Sequence, residues 1–425
     1  QSVHEDTQTL EDGVWYFHIR ARDNSNNWNA TAAHFGPIKI DTKPPDYVKV
    51  TINDGADYTN NKIVSLSVTA TDAGSGVALI SFSNDGSTWS GWESFCATRA
   101  NWDLTDSSFG GNSSDGPKTV HAKTRDFVGN ELPVDKRGKD GIFLDRVAPG
   151  SLAVVINNGD EYSTATTVSL AVKAFDPDPA SGLWQMSFSN DAVTWSDWTD
   201  SKEGAQWSLT TGAGGTDTDG TKTVYFRVRD RAKNIGGPEK DSIFLDRREP
   251  GSLSIMVDGG AEYTNDPAAT LAIDGMDPDP GSQISEMTVA NAESSLGTWE
   301  GFAKTKTGWS LVFGAGGTDQ DGDKVVYLKA RDKAGNVGGP VKDTIFLDRV
   351  KPSPLGIMIN DGATYTTSPS VKLALKASDA DPSSGISLMQ FSSDGNVWTD
   401  WEPFVNFRAY DLPAPDGQKI VYFRV

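Results

Sequence analysis

The chain has 425 residues, a formal net charge of −20 and a sequence pI near 4.6. This acidic balance argues against nucleic acid as a partner, because the phosphates would be repelled. No run of residues approaches the roughly 18 consecutive apolar residues of a membrane-spanning helix, so no membrane span is expected in this segment. The 43 glycines, 21 prolines and 37% hydrophobic residues are typical of short strands joined by many turns.

The first predicted element is a β-hairpin that starts at Phe17 and returns as a strand from Ile38. Similar hairpins with alternating apolar and polar residues start at Val120, Thr223 and Val326. The second strand of each hairpin ends in an aspartate, and these residues are spaced 104, 101 and 102 apart: Asp41, Asp145, Asp246 and Asp348. Four turn glycines have the same spacings: Gly55, Gly159, Gly260 and Gly362. Two independent markers with one period indicate a tandem repeat.

The third repeat shows the order of elements within one unit. Strands are predicted at Leu152–Ile156, Thr167–Phe175 and Leu183–Ser189, in the segment Thr194–Trp198, around Trp207, and as the two strands of the hairpin that ends at Asp246. Gly, Pro, Asn and Asp separate these strands at intervals of about 8 to 12 residues. Seven short strands in about 100 residues predict a β-sandwich.

Three segments carry a resemblance to a known family: Ser83–Trp92, Asp219–Asn234 and Ile243–Pro250. They resemble the immunoglobulin-like and fibronectin-III-like repeats of bacterial surface and secreted proteins. The resemblance implies an all-β fold, a tandem array of seven-stranded immunoglobulin-like β-sandwich domains. It also implies an extracellular or cell-surface location and a role as a spacer, stalk, adhesive module or accessory domain.

The repeat markers predict five domains: a partial repeat at 1–44 that has only the closing hairpin, full repeats at 45–147, 148–249 and 250–351, and a partial repeat at 352–425 without its last strand. Neither terminus coincides with a predicted linker, so we expect this sequence to be part of a longer polypeptide. The alternative is a head-to-tail polymer in which one molecule completes the next.

No arrangement of residues predicts catalysis. The four histidines are His4, His18, His34 and His121, and none lies near a Ser or Cys partner in a repeated motif. The one cysteine, Cys96, excludes a disulfide framework within the chain and is expected to pack as a small apolar residue beside Phe95. We therefore expect that the protein is not an enzyme.

Acidic loops are the strongest indication of a binding site. In a sandwich of this type, the loop after the second strand and the closing hairpin turn lie at the end where the chain enters. Aspartates that end one repeat should therefore meet aspartates of the next repeat. The predicted groups are Asp145 with Asp176, Asp178 and Asp230; Asp246 with Asp277, Asp279 and Asp332; and Asp348 with Asp379 and Asp381, while the first junction has Asp41, Asp72 and Asp126. Such oxygen-rich groups suit Ca²⁺, and the alternative is that these aspartates only form turns.

A second candidate calcium loop precedes the hairpin of the third and fourth repeats. It contains Asp217 and Asp219 in the third repeat and Asp319 and Asp321 in the fourth. The DxDG pattern is a fragment of known calcium loops, but the leading aspartate and the closing glutamate are missing.

Tryptophans recur in pairs three residues apart: Trp89 and Trp92, Trp195 and Trp198, and Trp398 and Trp401. In a regular strand the two rings of a pair would face opposite sides of the sheet. We expect one ring to pack inward and to close the edge of the core. The alternative is an exposed ring that stacks on sugars.

These observations together predict an extracellular structural protein, a rod of immunoglobulin-like repeats that acts as a stalk, filament or surface-layer segment. The alternative is an array of carbohydrate-binding or adhesive modules, accessory to a secreted enzyme or not. The expected partners are another copy of the chain or a cell-surface component, with a glycan under the alternative.

Overall fold

The computed structural model describes residues 8–425, so His4 and the rest of the first predicted repeat before Gln8 lie outside it. Of the residues, 49% are in strands and 5% are in helical turns. The prediction of an all-β array of sandwiches is confirmed. The helical turns are short 3₁₀ segments: Asn53–Gly55, Ser107–Phe109, Val134–Lys136, Asn157–Gly159, Asp258–Gly260, Glu293–Ser295 and Asn360–Gly362. Between residues 8 and 425 no helix is long and apolar enough to cross a bilayer.

Contacts divide the chain into two compact units. The first runs to Asp160 and includes Thr167–Asp217 and Thr223–Ser242, and the second comprises the short segments 161–166 and 218–222 with Ile243–Val425.

The first unit begins with the hairpin of the first repeat, β1 (Gly13–Ile19) and β2 (Ala33–Ile40), which pair antiparallel. The strands of the second repeat are β3 (Tyr47–Ile52), β4 (Tyr58–Thr59), β5 (Ile63–Thr71), β6 (Val77–Ser83), β7 (Glu93–Ser94), β8 (Thr98–Asp103), β9 (Gly116–Asp126) and β10 (Gly138–Leu144). They form a three-stranded sheet, β3-β5-β8, and a five-stranded sheet, β4-β10-β9-β6-β7. This is the seven-strand plan with the two-residue strand β4 added.

Alternation along the strands builds the core between the two sheets. In β9 every second residue is buried, beginning with Gly116 and ending with Asp126. The core of the second repeat includes Ile52 and Leu66 from one sheet and Phe82 from the other, each at most 1% exposed. The period of two that predicted the strands therefore also selects the core residues.

The third repeat follows the same series: β11 (Gly150–Ile156), β12 (Tyr162–Ser163), β13 (Thr167–Phe175), β14 (Leu183–Ser189), β15 (Thr199–Asp200), β16 (Gly204–Ser208), β17 (Gly220–Asp230) and β18 (Ile235–Leu245). Within the first unit, β13 pairs with β11 and β16, and β14 pairs with β15 and β17. Within the second unit, β12 pairs in parallel with the last residues of β18.

The second unit contains the fourth and fifth repeats. The fourth has β19 (Gly251–Val257), β20 (Tyr263–Thr264), β21 (Ala268–Met276), β22 (Ile284–Ala290), β23 (Glu300–Gly301), β24 (Thr305–Ser310), β25 (Gly322–Asp332) and β26 (Val337–Leu347). The fifth has β27 (Leu355–Ile359), β28 (Ser370–Ala377), β29 (Leu388–Ser392), β30 (Glu402–Pro403), β31 (Phe407–Asp411) and β32 (Tyr422–Arg424). The sheets of the fourth repeat, β19-β21-β24 and β20-β26-β25-β22-β23, repeat the order of the second.

The recurring glycine has a local reason. Gly159 closes the turn after β11 with φ 95°, and Gly55, Gly260 and Gly362 occupy the same left-handed region. A residue with a Cβ is strained in that region, so the turn favours glycine. This is the physical basis of one of the two markers of the repeat.

Candidate metal sites

Three strand ends bring aspartates of the second and third repeats together. Asp145 follows β10, Asp176 follows β13, and Asp230 is the last residue of β17. One carboxylate oxygen of each lies within 4.8 Å of the others, and all three residues are buried. Exposure of Asp145 and Asp230 is 0%, and that of Asp176 is 8%. We call these residues the central carboxylate group.

In two of the three carboxylates, both oxygens accept hydrogen bonds. Asp145 accepts from the backbone N–H groups of Val147 at 3.0 Å and Ser181 at 2.8 Å, one at each oxygen. Asp230 accepts from the backbone N–H and the side-chain amide of Asn234, at 2.9 and 2.8 Å. Each oxygen of these two carboxylates therefore keeps at least one lone pair for a further ligand.

The third carboxylate is only half satisfied. Oδ2 of Asp176 accepts from the N–H of Gly182 at 2.6 Å. Oδ1 of Asp176 is buried and has no hydrogen-bond partner. A buried carboxylate oxygen without a partner is costly, because it has lost its water and gained nothing in return. A bound cation would supply the missing interaction.

The negative charges of the three carboxylates repel one another. Burial raises the pKa of Asp176, and the neighbouring Asp145 and Asp230 raise it further against a hydrogen bond from Gly182. Burial also raises the pKa of Asp230, with a further contribution from Asp145. Like charges in a desolvated place disfavour the ionised form of each carboxylate. A divalent cation would reverse this effect.

The dimensions of the group fit an ion of the size of calcium. Calcium binds oxygen at about 2.3–2.6 Å, so two ligands on opposite sides of it lie about 5 Å apart. Oxygens within 4.8 Å of one another can all reach a common centre of that kind. The donors are oxygens alone, which suits Ca²⁺ better than Zn²⁺ or Cu²⁺.

The same arrangement occurs at two further junctions. The first consists of Asp41, Asp72 and Asp126, and the other of Asp246, Asp277 and Asp332, again with oxygens within 4.8 Å. Oδ1 of Asp277, like that of Asp176, is buried without a partner. Burial raises the pKa of Asp277, and Asp246 and Asp332 contribute.

At the last predicted group, the loop after β28 donates hydrogen bonds to both Asp348 and Asp379. Asp348 is 8% exposed and accepts from the backbone N–H and the hydroxyl of Ser384, both at 2.8 Å. Oδ1 of Asp379 is buried without a partner. Among residues 8–425, no third carboxylate joins Asp348 and Asp379 in a group of three.

Some of the predicted aspartates lie outside the groups of three carboxylates. Asp178, Asp279 and Asp381, the second aspartates of their loops, are exposed, and none belongs to the groups of three carboxylates. In each loop the first aspartate turns inward because backbone N–H groups hold it, as Gly182 holds Asp176 and Gly385 holds Asp379.

Aspartates of the second candidate calcium loop pair with arginines. Asp219 and Asp321 accept from the guanidinium groups of Arg247 and Arg349, both at 2.6 Å. Asp319 also pairs with Arg349, at 2.8 Å. Asp217 makes contacts of its own and joins no group of three carboxylates among the described residues. Because arginine neutralises these carboxylates, the loop has less need of a cation than the three groups of carboxylates.

Sequence reasoning missed a repeated asparagine beside each group. Nδ2 of Asn234 donates to the main-chain oxygen of Asp145 and to the carboxylate of Asp230, at 2.9 and 2.8 Å. Asn130 and Asn336 make the same pair of bonds at their junctions. The signal was present in the sequence, since an asparagine follows each hairpin aspartate by four residues.

The paired tryptophans lie against cations of the closing hairpin. Arg227 lies 4.0 Å from the ring centre of Trp195 and 4.7 Å from that of Trp198. Lys123 lies 4.8 Å from both Trp89 and Trp92. The expectation that the two rings face opposite sides is therefore wrong. The residues between β14 and β15 do not form a regular strand, so the alternation rule does not apply to them.

Comparison with known proteins gives distant structural similarities. No protein-family model matches the sequence, and no curated protein is significantly similar to it. The fibronectin(III)-like modules of Clostridium thermocellum CbhA share 14% identity, over 46% of this chain and 93% of theirs, with a TM-score of 0.31. A tetra-tandem repeat from the extending region of a large adhesion protein shares 18% identity, over 86% of this chain and 90% of that chain, with a TM-score of 0.30. A solved chain of a 1.5-MDa bacterial ice-binding adhesin shares 13% identity with this chain, over 71% of this chain and 99% of that solved chain, with a TM-score of 0.32. Values this low carry no argument about function.

Proposed function

We propose that the chain is a structural segment of an extracellular or cell-surface protein, a stalk or filament in which calcium ions join successive repeats. The observation that carries this proposal is the central carboxylate group. Its three carboxylates are buried, and Oδ1 of Asp176 has no partner. A protein that only needed a turn at this place would not need three buried negative charges.

The ligands come from two repeats, so an ion would act as a cross-link. Asp145 ends the second predicted repeat, and Asp176 and Asp230 belong to the third. The next residue in the linker, Arg146, donates from Nε to Asp115 of the second repeat at 2.7 Å. The linker is thus held to the second repeat by Arg146 and to the third by Asp145. An ion at Asp145 would restrict the remaining motion of the linker.

Calcium is the ion that this setting favours. Extracellular calcium modules bind in the range of about 0.1 to 1 mM, and carboxylate and carbonyl oxygens are their ligands. An ion that binds only the folded state stabilises it by about 2.7 kcal/mol at a hundredfold excess over its dissociation constant. Release of calcium would loosen the linkers without unfolding the sandwich cores.

Hydrogen exchange on the full chain tests the structural role. We expect millimolar calcium to slow amide exchange at Ser181, Gly182 and Asn234, whose N–H groups bond the ligand carboxylates. Exchange at the core residues Leu66 of β5 and Val120 of β9 should stay constant. Chelator should restore the faster exchange, and the same concentration of magnesium should have a smaller effect. Equal exchange at these amides with calcium and with chelator would overturn the proposal.

A second candidate function, an array of carbohydrate-binding modules, is favoured by one observation. The paired tryptophans and the arginines between them lie outside the sandwich cores. These contacts between tryptophan and arginine are most extensive in the third repeat.

A further inference from the structure

The outer face of the third repeat carries five stacked side chains, Trp184, Arg229, Trp198, Arg227 and Trp195, which we call the repeat-3 stack. Arg229 lies 4.7 Å from the ring centre of Trp184 and 4.5 Å from that of Trp198. Arg227 lies 4.7 Å from Trp198 and 4.0 Å from Trp195. Each guanidinium group therefore lies between two indole rings.

The arginines of the repeat-3 stack have no negative partner. Among residues 8–425, neither Arg227 nor Arg229 forms an ion pair, and Nε of Arg227 is buried without a hydrogen-bond partner. Arg229 donates from Nε and Nη2 to the amide oxygen of Gln185. Burial, and then the nearby Arg229, lower the pKa of Arg227. Two cations thus lie close together without a counter-charge.

The second repeat shows how a carboxylate can occupy this face. There Lys123, Arg125 and Arg137 lie against Trp89 and Trp92, and all three cations pair with Glu131, at 3.1, 2.8 and 3.1 Å. Glu131 lies six residues after Arg125 and bridges to it across the hairpin. A carboxylate beside a cation that is stacked on tryptophan is therefore compatible with this fold.

The third repeat lacks that carboxylate. The residue six positions after Arg229 is Ile235, and it is 51% exposed. The equivalent residue of the fourth repeat is Val337, but there Arg331 pairs with Glu286 instead. Asp200 lies opposite Gln185 in the strand pairing, is exposed and makes no ion pair with either arginine. The repeat-3 stack is thus a cationic, aromatic surface on an otherwise acidic chain.

We propose that the repeat-3 stack binds an anionic polysaccharide, with a carboxylate or sulfate of the sugar in the place that Glu131 fills in the second repeat. Indoles cover the faces of each guanidinium, so its N–H donors lie at the edges. Nε and Nη2 of Arg229 are used by Gln185 and Nε of Arg227 is buried, which leaves the two Nη groups of Arg227 and Nη1 of Arg229 for an oxyanion. Trp184 is 37% exposed beside Arg229 and offers an apolar ring to the C–H face of a sugar.

The charge of the whole chain does not prevent this binding. At physiological ionic strength, charges more than about 8 Å away are largely screened, whereas an anion in contact with the arginines is not. A sugar acid also combines a flat apolar face with an anion on a rigid ring, and an acidic peptide lacks that face. The surface therefore favours the sugar.

Binding to the full chain can be followed by tryptophan fluorescence and by calorimetry. The probes are polygalacturonate, dextran sulfate, neutral dextran and polyglutamate, each measured in chelator so that the result is independent of the calcium sites. We expect polygalacturonate or dextran sulfate to bind and dextran not to bind, and the two anionic probes separate a carboxylate from a sulfate preference. Absence of binding to both, or equal binding of polyglutamate, would overturn the proposal.

Two matched variants locate the site. Ile235→Glu installs the carboxylate of the second repeat and should weaken binding by about tenfold or more, the equivalent of about 1.4 kcal/mol. Val337→Glu makes the same change in the fourth repeat and should have no effect. The far-ultraviolet circular dichroism of both variants should match the parent chain. Unchanged affinity in folded Ile235→Glu would show that the stack is not the site.

Discussion

The side chain of Asn234 donates a hydrogen bond to the main-chain oxygen of Asp145 at 2.9 Å, across the predicted boundary between the second and third repeats. The same nitrogen donates to the carboxylate of Asp230 at 2.8 Å. One amide group thus connects the end of one repeat to the closing hairpin of the next. Because Asp145 and Asp230 both belong to the central carboxylate group, Asn234 also fixes the spacing of the candidate ligands.

Replacement of Asn234 should loosen the junction. Asn234→Ala leaves the oxygen of Asp145 and one oxygen of Asp230 without this donor, which costs about 1–3 kcal/mol where water cannot replace it. We expect faster hydrogen exchange at Val147 and Lys233 and weaker calcium binding. Lys202→Ala, an exposed change in the same repeat, is the control. Equal exchange in both variants would mean that Asn234 does not hold the junction.

Replacement of Asp176 should have opposite effects with and without calcium. Asp176→Asn removes one of three mutually repelling charges, so in chelator the junction should be as stable as before or more stable. In calcium the variant should lose the stabilisation from that site, about 2.7 kcal/mol at a hundredfold excess of ion. Calorimetry in the two conditions measures both effects. Asp178→Asn, an exposed change in the same loop, should behave as the parent chain.

Acid should affect the apo and calcium-bound junctions in opposite directions. The pKa values of Asp176, Asp230 and Asp277 are raised above 3.8 by burial and by neighbouring aspartates. A raised pKa in the folded state means that its contribution to stability is present below 3.8 and is lost as pH rises through the folded pKa. In chelator, lowering the pH from 7 should therefore stabilise the junctions.

In calcium the protons compete with the ion, so the same change in pH should destabilise the junctions. The measurement is the unfolding temperature against pH in both conditions, with the double variant Asp176→Asn, Asp277→Asn as the reference. Parallel curves for the parent chain in calcium and chelator would contradict the assignment of these carboxylates as ligands.

The pairs between arginine and aspartate in the linkers should be specific for arginine. Arg349 donates from Nε to Asp321 and from Nη1 to Asp319. Lysine cannot make two such bonds from one planar group, so Arg349→Lys should increase hydrogen exchange at Val350. Lys351→Ala, an exposed change two residues on, should not. Equal exchange in Arg349→Lys and the parent chain would show that this pair adds nothing to the linker.

A hairpin aspartate should contribute to acid unfolding of the third repeat. Backbone N–H groups of Thr194 and Val193, with the hydroxyl of Ser189, lower the pKa of Asp191 from 3.8 to about 2. A lowered pKa gives stability that is present above 3.8 and is lost as pH falls towards 2. Asp191→Asn should therefore flatten the acid limb of an unfolding curve followed by tryptophan fluorescence. Exposed Asp197→Asn is the control, and an identical acid limb in Asp191→Asn would refute this role.

The sequence predicts the strands and the junction aspartates because both depend on simple rules. Alternation with a period of two places Val120 and Ala122 in the core, and strand ends bring Asp145 to Asp176 and Asp230. These rules need only the repeat period and the direction of each strand.

Features that depend on loop conformation could not be predicted in this way. Asp176 and Asp178 look equivalent in the sequence, and the N–H of Gly182 decides which one turns inward. Asp219 and Arg247 are 28 residues apart and meet only once the loop before β17 is folded. Trp195 and Trp198 lie outside a regular strand. No periodic pattern in the sequence therefore indicates that both rings contact Arg227.

Calcium binding to the full chain at equilibrium tests the central claim most directly. Titration calorimetry at pH 7 should give about three sites, one for each group of three carboxylates, and Asp176→Asn should remove one of them while Asp178→Asn removes none. Absence of saturable binding up to several millimolar calcium, or an unchanged number of sites in Asp176→Asn, would contradict the account of the junctions as ion sites.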